Sequence, residues 1–498
     1  MFNRSSGQIK RRVESLEKHL KQENKTLLLG AVKSFRDLDN VAYKMGILPP
    51  TDSFTTRVTW WPMISILGTF SSGKSTFINT FLNQDMQRTG NQAVDDKFTV
   101  ICFSEGEEAR TLPGLALDAD PRFPFYNISQ EIERVSTGEG QRIDAYLQLK
   151  TCQTEHLRGK ILIDSPGFDA DSQRNATLKI TDDMMKLSDL VLVFFDARHP
   201  EPGAMRDTLE HLVQNTIHRS DSNKFLFILN QIDCTIQDDN LEDVVAAWQR
   251  SLAQAGLTAG RFYQIYNQEV APQIDDESVK ARYEGKRAED MAEINDRINK
   301  VEVERAYRII GVLEHTAKMI ENEVAPKLTE LLGRWRKRVL ISDAVVLGAA
   351  GAGIAALVMN SDVNVVPWFT VEHWLSGEVA VWKKMVAGLL GVGVIGLGAF
   401  VHQAFRKMAT SAIKYDLDRE IKGEDLREFV GNAFLYNTKP WRSVFKTVPA
   451  GWGRFSGSKG AIEKVLKSTD VFVQSLNDKY TNPSGKKDRP GTVDLEVE

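Results

Sequence analysis

The segment Gly68-Thr69-Phe70-Ser71-Ser72-Gly73-Lys74-Ser75 constrains this chain more than any other, because it satisfies G-x-x-x-x-G-K-[ST] at every fixed position. A short apolar run, Met63 to Leu67, leads into it, and Thr76-Phe77-Ile78-Asn79-Thr80-Phe81-Leu82 continues it as a helix. Gly68 lets the backbone turn off a strand, and Gly73 lets successive N–H groups close on phosphate oxygens. Lys74 supplies a flexible point charge for the outer phosphates. Ser75 offers its hydroxyl to Mg²⁺ at a helix N-terminus whose dipole favours anions. Residues Gly68 to Thr76 are therefore the candidate phosphate site.

Around it, short apolar runs alternate with helical patterns. Residues 98–103, Ile161 to Ile163, Leu190 to Phe195, Lys224 to Leu229 and Phe262 to Ile265 read as strands. The continuous apolar runs predict strands covered on both faces, and the alternation predicts an α/β P-loop domain with a doubly wound, mostly parallel sheet over residues 55–272. Two further motifs sit at strand ends. Asp164 can hold a metal-bound water, and Gly167 can give an N–H to a terminal phosphate and move when that phosphate leaves. In Asn230-Gln231-Ile232-Asp233, Asp233 can accept from the ring N–H and exocyclic amine of guanine. This element is similar to N-K-x-D, with Gln231 in place of the lysine that packs on the base, which leaves adenine open.

Outside 55–272 the strand signal vanishes. Residues 1–54 read as helix, with one long amphipathic pattern over 8–46, and residues 273–338 and 402–481 read as long charged helices. The Pro-, Gly- and Lys-rich residues 482–498 read as a disordered tail. Between these helices lie two apolar stretches, Val339 to Met359, carrying only Asp343, and Met385 to Val401, carrying no charge. Arg334, Arg336, Lys337 and Arg338 precede the first, and Arg406 and Lys407 follow the second. The reading is a two-helix transmembrane hairpin with its connecting loop over 339–401, both ends cytoplasmic, with Trp368, Trp374 and Trp382 at an interface. Gly348 and Ala352, with Ala387 and Gly391, are the expected close-contact faces. A buried hairpin inside a helical domain is the alternative.

Composition narrows the class further. The chain has 498 residues, 42% hydrophobic and 26% charged, so it has material for more than one core. A net charge of -4 argues against a dedicated nucleic-acid binder, and Cys102, Cys152 and Cys234 lack metal-ligand spacing. The N-terminus shows no apolar secretory run.

The stretch Gly68 to Leu82 resembles the dynamin superfamily, and most closely the Eps15-homology-domain (EHD) ATPases. Asp96-Lys97-Phe98, Asp164-Ser165-Pro166-Gly167, Phe195-Asp196-Ala197, Asn230-Gln231-Ile232-Asp233 and the helical run Ile294 to Tyr307 continue the likeness. The resemblance implies a dynamin-type G domain with a discontinuous helical stalk drawn from both sides of it. It also implies nucleotide-dependent self-assembly, dimerisation through the G domain, and membrane remodelling. Ser71 matches the serine that helps place the attacking water, and Arg198 could reach across a dimer as a charge-stabilising finger. EHD proteins favour ATP, so GTP is the expected substrate with ATP the alternative.

Two departures stand out. Where the family carries Pro-Thr-Thr-Asp, this chain has Ala93-Val94-Asp95-Asp96. Asp95 then holds the metal through water, or Thr89 or Thr99 substitutes, or hydrolysis is slow. No EF-hand-like pattern marks an Eps15-homology domain. The expectation is thus a membrane-anchored, dynamin-like GTPase in a bacterial inner membrane, with Mg²⁺ held by Ser75, Asp164 and Asp95. Ser71, Lys74, Asp164 and Gly167 serve the chemistry, and Asn230, Gln231 and Asp233 read the base. A hydrolysis-poor membrane switch that recruits partners is the other reading.

Overall fold

The computed structural model describes residues 5–69, 71–89, 97–106, 108–119, 123, 128–135, 138–167, 175–200, 222–254, 256–257, 260–360, 381–446 and 448–481. The chain divides into two compact units, one of Thr56–Ile309 and the other of Met1–Thr55 with Ile310–Glu498.

The first unit is built on an eight-stranded mixed sheet. Its strands are β1 (Met63–Gly68), β2 (Phe98–Phe103), β3 (Arg110–Pro113), β4 (Leu147–Cys152), β5 (Ile161–Asp164), β6 (Leu190–Asp196), β7 (Phe225–Asn230) and β8 (Arg261–Ile265), in the order β3-β4-β2-β5-β1-β6-β7-β8. From β5 to β8 all pairs are parallel, while β2 runs antiparallel to β5 and β3 antiparallel to β4. The central strands are apolar on both faces because both are covered. Leu190, Leu192 and Phe194 pack with Phe77, Ile78, Ile294 and Ile298. Val191, Val193 and Phe195, pointing the other way, pack with Leu241, Trp248, Leu252 and Tyr283. β3 and β4 carry polar residues on their outer positions and gave no apolar run to read.

A buried ion pair closes the starting ends of the central strands β1 and β6. Asp189 is wholly buried, lies 2.9 Å from Arg308 and 3.3 Å from Arg305, and accepts from the Met63 N–H at 3.0 Å. Arg305 also donates Nε–H to the Thr59 carbonyl at 2.5 Å.

The second unit is helical. The single helix expected over 8–46 is two, Gly7–Gln22 and Thr26–Met45. Asn24 breaks it in the left-handed region at φ 55, which Asn tolerates better than most residues. Asp39 forms a polar knot, accepting from Ser53 Oγ, Thr55 Oγ1 and the Phe54 N–H, and burial pushes its pKa up to about 6. The helix Glu277–Met319 begins in the first unit's residues and continues through a π turn, Ile320–Val324, into Ala325–Asn360. Val381–Glu420, Glu424–Asn437 and Ser458–Tyr480 complete the unit.

The helices Ala325–Asn360 and Val381–Glu420 run side by side and are laced by polar pairs. Glu420 meets Lys327 at 3.1 Å and Arg334 at 2.8 Å, and Asp416 meets Arg338 at 3.0 Å. Among the described residues the last such pair toward their apolar ends is Asp343 with His402, 2.7 Å apart. Beyond it Val345 and Leu347 on one helix, and Leu389, Val392, Ile395 and Phe400 on the other, stand exposed.

Among the described residues no helix is long and apolar enough to cross a membrane, so the transmembrane hairpin expected over 339–401 is corrected. Asp343 shortens the first uncharged run. At about 1.5 Å per residue each run reaches roughly 25 Å, short of a hydrocarbon core about 30 Å thick. The expected close contact at Gly348 is also absent, since a Cβ there would meet nothing within 4 Å. The connecting loop with Trp368 and Trp374, and the 482–498 tail, lie outside the described residues.

Candidate functional site

β1 ends at Gly68 because nothing larger fits: a Cβ there would lie 2.7 Å from the Phe194 carbonyl oxygen on β6. The chain then turns, with Ser71 at φ 60 and Gly73 at φ 81, into the helix Lys74–Leu82. Gly73 is the N-cap of that helix, and a Cβ on it would collide with Nδ2 of Asn230. The turn is braced from within, as Ser72 Oγ donates to the Thr69 carbonyl at 2.8 Å. Lys74 is buried and donates to the Gly68 and Thr69 carbonyls, each at 2.9 Å. Burial lowers its pKa to about 8, against the opposing pull of the nearby Asp164 carboxylate. The ammonium thus lies curled over the loop, among neutral acceptors that a polyphosphate would outcompete. Ser75 and Thr76 follow in the first turn of the same helix.

The end of β7 reaches this loop directly. Asn230 Nδ2–H donates to the Ser72 carbonyl at 2.9 Å, and Gln231 Nε2–H to the Ser71 carbonyl at 2.6 Å. Gln231 takes the left-handed region, φ 64, which swings its side chain back onto the loop. Gln231, at the motif's lysine position, therefore braces the phosphate loop. Asp233 is half-buried in the turn Ile232–Thr235, and burial raises its pKa. Arg198 is committed within its own chain: it forms a forked pair with Asp196, Nη2 to Oδ2 at 2.7 Å, and donates to the Ser71 carbonyl at 3.2 Å. Within its own chain the Arg198 guanidinium is thus held beside the phosphate loop.

Asp164 closes β5 and is buried; its Oδ2 accepts from Gln87 Nε2–H at 2.5 Å. Gln87 is in turn fixed on three sides. Its N–H and carbonyl both pair with the Asn79 side chain on the phosphate-loop helix, each at 2.8 Å, and its Oε1 accepts from Lys150. Sequence reading missed Gln87 and Lys150. A loop glutamine and a strand lysine belong to no spaced motif, and only the β2–β4–β5 pairing brings them to Asp164. With Asp85, Arg88, Thr89 and Arg110 they line a polar cleft of about 700 Å³.

Of the hydroxyls suggested for the missing switch threonine, Thr99 is buried on β2, pairs in register with Asp164, and accepts from Gln148 Nε2–H at 2.7 Å. Thr89 is exposed. Gly167 lies three residues past Asp164 in irregular chain. Phe70 and Asp95 lie outside the described residues. Among the described residues no group of three His, Cys, Asp or Glu could hold a metal, so a cation here would draw on Ser75, Asp164 and the ligand's own phosphate oxygens.

Residues 64–232 match the Dynamin family. Over 70 residues the chain is 37% identical to EH domain-containing protein 3 of Rattus norvegicus and of Homo sapiens, and 37% identical to EH domain-containing protein 1 of Bos taurus. Each match takes in 14% of this chain and only 13% of the relative's own length. A solved structure described as "An oligomerised bacterial dynamin pair provides a mechanism for the long range sensing and tethering of membranes" aligns over 94% of this chain and 78% of its own at 14% identity, with a TM-score of 0.36.

Proposed function

We propose that this chain, whose residues 64–232 match the Dynamin family and which is similar over 70 residues to the EHD proteins, is a dynamin-like GTPase whose helical unit docks on a membrane without crossing it. The observation that carries the nucleotide half is the convergence of three distant segments on one helix N-terminus. Asn230 and Gln231 hold the loop carbonyls, Lys74 lies inside the loop, and Asp164 stands close enough to act on its charge.

In this reading Lys74 uncurls to meet the outer phosphates, and N–H groups at the helix start take the rest. Ser75 and Asp164 would hold Mg²⁺, which would supply neutralising charge on the polyphosphate. Gly167 follows the terminal phosphate, Ser71 helps place the attacking water, and Asp233 reads the base with Asn230 supporting. Gln231 bound to the Ser71 carbonyl offers less packing surface to the base than a lysine stem, so ATP is the competing substrate.

The membrane half is supported by the exposed apolar ends of the helices Ala325–Asn360 and Val381–Glu420. Inserted side by side, their tips would enter one leaflet, while self-association through the nucleotide face would gather copies on the surface.

Parallel titrations of GTP and ATP against the natural chain and Lys74→Ala test the site. Binding of GTP in preference to ATP, lost in the variant, is the expected result. Equal affinity for both would remove the guanine assignment, and unchanged binding in the variant would remove the site. Turnover that rises on vesicles supports the mechanical enzyme, whereas tight binding without turnover supports the membrane switch.

A further inference from the structure

Between the helices Glu424–Asn437 and Ser458–Tyr480 lies a loop whose residues 438–446 read Thr-Lys-Pro-Trp-Arg-Ser-Val-Phe-Lys: three cations, two aromatics and no acid. Its backbone is firmly held. Arg406, buried on the helix Val381–Glu420, donates to the carbonyls of Lys439 at 2.8 Å, Pro440 at 3.1 Å and Arg442 at 2.8 Å. Arg406 is itself fixed, with its guanidinium 5.2 Å from the Trp335 ring. Asn437 closes the loop from behind, accepting from the Ala450 N–H at 2.7 Å and donating to the Met45 carbonyl at 3.2 Å. Val444 is buried, yet Trp441 is 74% and Phe445 71% exposed. Lys439 lies 5.5 Å from the Trp441 ring, and Lys446 is exposed.

A loop pinned this thoroughly would ordinarily turn its aromatics inward, since each exposes a large apolar area. Its anchor supplies a reason for the opposite. Arg406 is six residues along the same helix from Phe400, the nearest exposed apolar side chain of the helix end, which is roughly 9 Å of rise. If the apolar ends sit in hydrocarbon, that offset brings the loop to the headgroup layer, where Trp beside Lys or Arg is the favoured composition.

We propose that residues 438–446 form a second membrane contact, one that lies on an anionic lipid surface and reads its charge while the apolar helix ends supply depth. This rests on the membrane reading above. Continuity with the exposed helix ends and the positive charge of a loop that carries no acid of its own favour a lipid surface over a soluble partner.

The test is sedimentation of the full chain with phosphatidylcholine vesicles, with and without phosphatidylglycerol. The natural chain binds both and prefers the anionic ones, and that preference fades with added salt. Lys439→Gln with Lys446→Gln lowers affinity for the anionic vesicles by about fivefold per charge removed and leaves phosphatidylcholine binding unchanged. Trp441→Ala with Phe445→Ala weakens both. Leu389→Glu with Ile395→Glu abolishes both, marking the helix ends as the depth anchor. If the loop variants bind anionic vesicles like the natural chain, the loop is a protein-docking surface and the inference falls alone. If the natural chain binds neither vesicle, the membrane reading falls and takes this inference with it.

Discussion

The nucleotide unit and the helical unit treat apolar surface in opposite ways. In the former, Leu192 on β6 is wholly buried between helix and sheet, as are its neighbours along the strand. In the latter, Leu389 is 72% exposed near the end of a helix that has left its polar partners behind. The same residue type stabilises the fold in one place and waits for a partner in the other. Exposed apolar runs of this extent therefore point outward to a surface, while the polar exceptions inside the sheet unit mark chemistry or architecture.

The largest effect that would sharpen this contrast is at Asp189. Asp189→Ala strands Arg305, Arg308 and the Met63 N–H, and should cost the nucleotide unit about 3–5 kcal/mol in denaturant unfolding. A loss under 1 kcal/mol would mean the pair contributes little to holding the starts of β1 and β6.

Next comes Lys74→Ala, which should weaken nucleoside triphosphate binding by about a hundredfold in calorimetric titration, while leaving unfolding within about 1 kcal/mol of the natural chain. Large destabilisation without loss of affinity would make Lys74 a structural plug. Its pH dependence sharpens the point. Free Lys74 has its pKa lowered to about 8, and a bound polyphosphate restores it toward the ordinary range, so above pH 8 the free site is the less protonated state. Binding must then take up a proton, and affinity should be flat below pH 8 and fall by up to about tenfold per pH unit above it. Affinity that rises with pH would contradict the buried-ammonium geometry.

The smallest effect is expected at Leu389, and set beside Leu192 it gives the most direct comparison. Leu192→Ala should cost about 2–5 kcal/mol by leaving a cavity, whereas Leu389→Ala should change stability by less than about 0.5 kcal/mol and be felt only in vesicle sedimentation. Equal costs would show that the helix ends are packed in solution, and the contrast would dissolve.

Much of the site could be read from the chain because its parts are local. Gly68 and Gly73 are demanded by a strand-to-helix turn within a few residues, and Lys74 and Ser75 follow from that turn. The strands β5, β6 and β7 were legible as buried apolar runs, with Asp164 and Asn230 at their ends. β3, β4, Gln87 and Lys150 were not, since short strands of mixed polarity give no continuous apolar run and lone polar residues carry no period. The break at Asn24 was missed because apolar spacing continues across it while one backbone angle does not. The hairpin was overread because two apolar runs of nearly spanning length look alike whether they cross a bilayer or end in it.

The order of residues along the chain settled which turn would present amides to an anion, because backbone geometry and the nearest side chains decide that within one strand–turn–helix unit. Only the folded chain decided what surrounds that turn: Gln231 and Arg198 on the Ser71 carbonyl, and Gln87 on Asp164. Those contacts join residues far apart in sequence, and their free energy depends on distances that no spacing along the chain encodes.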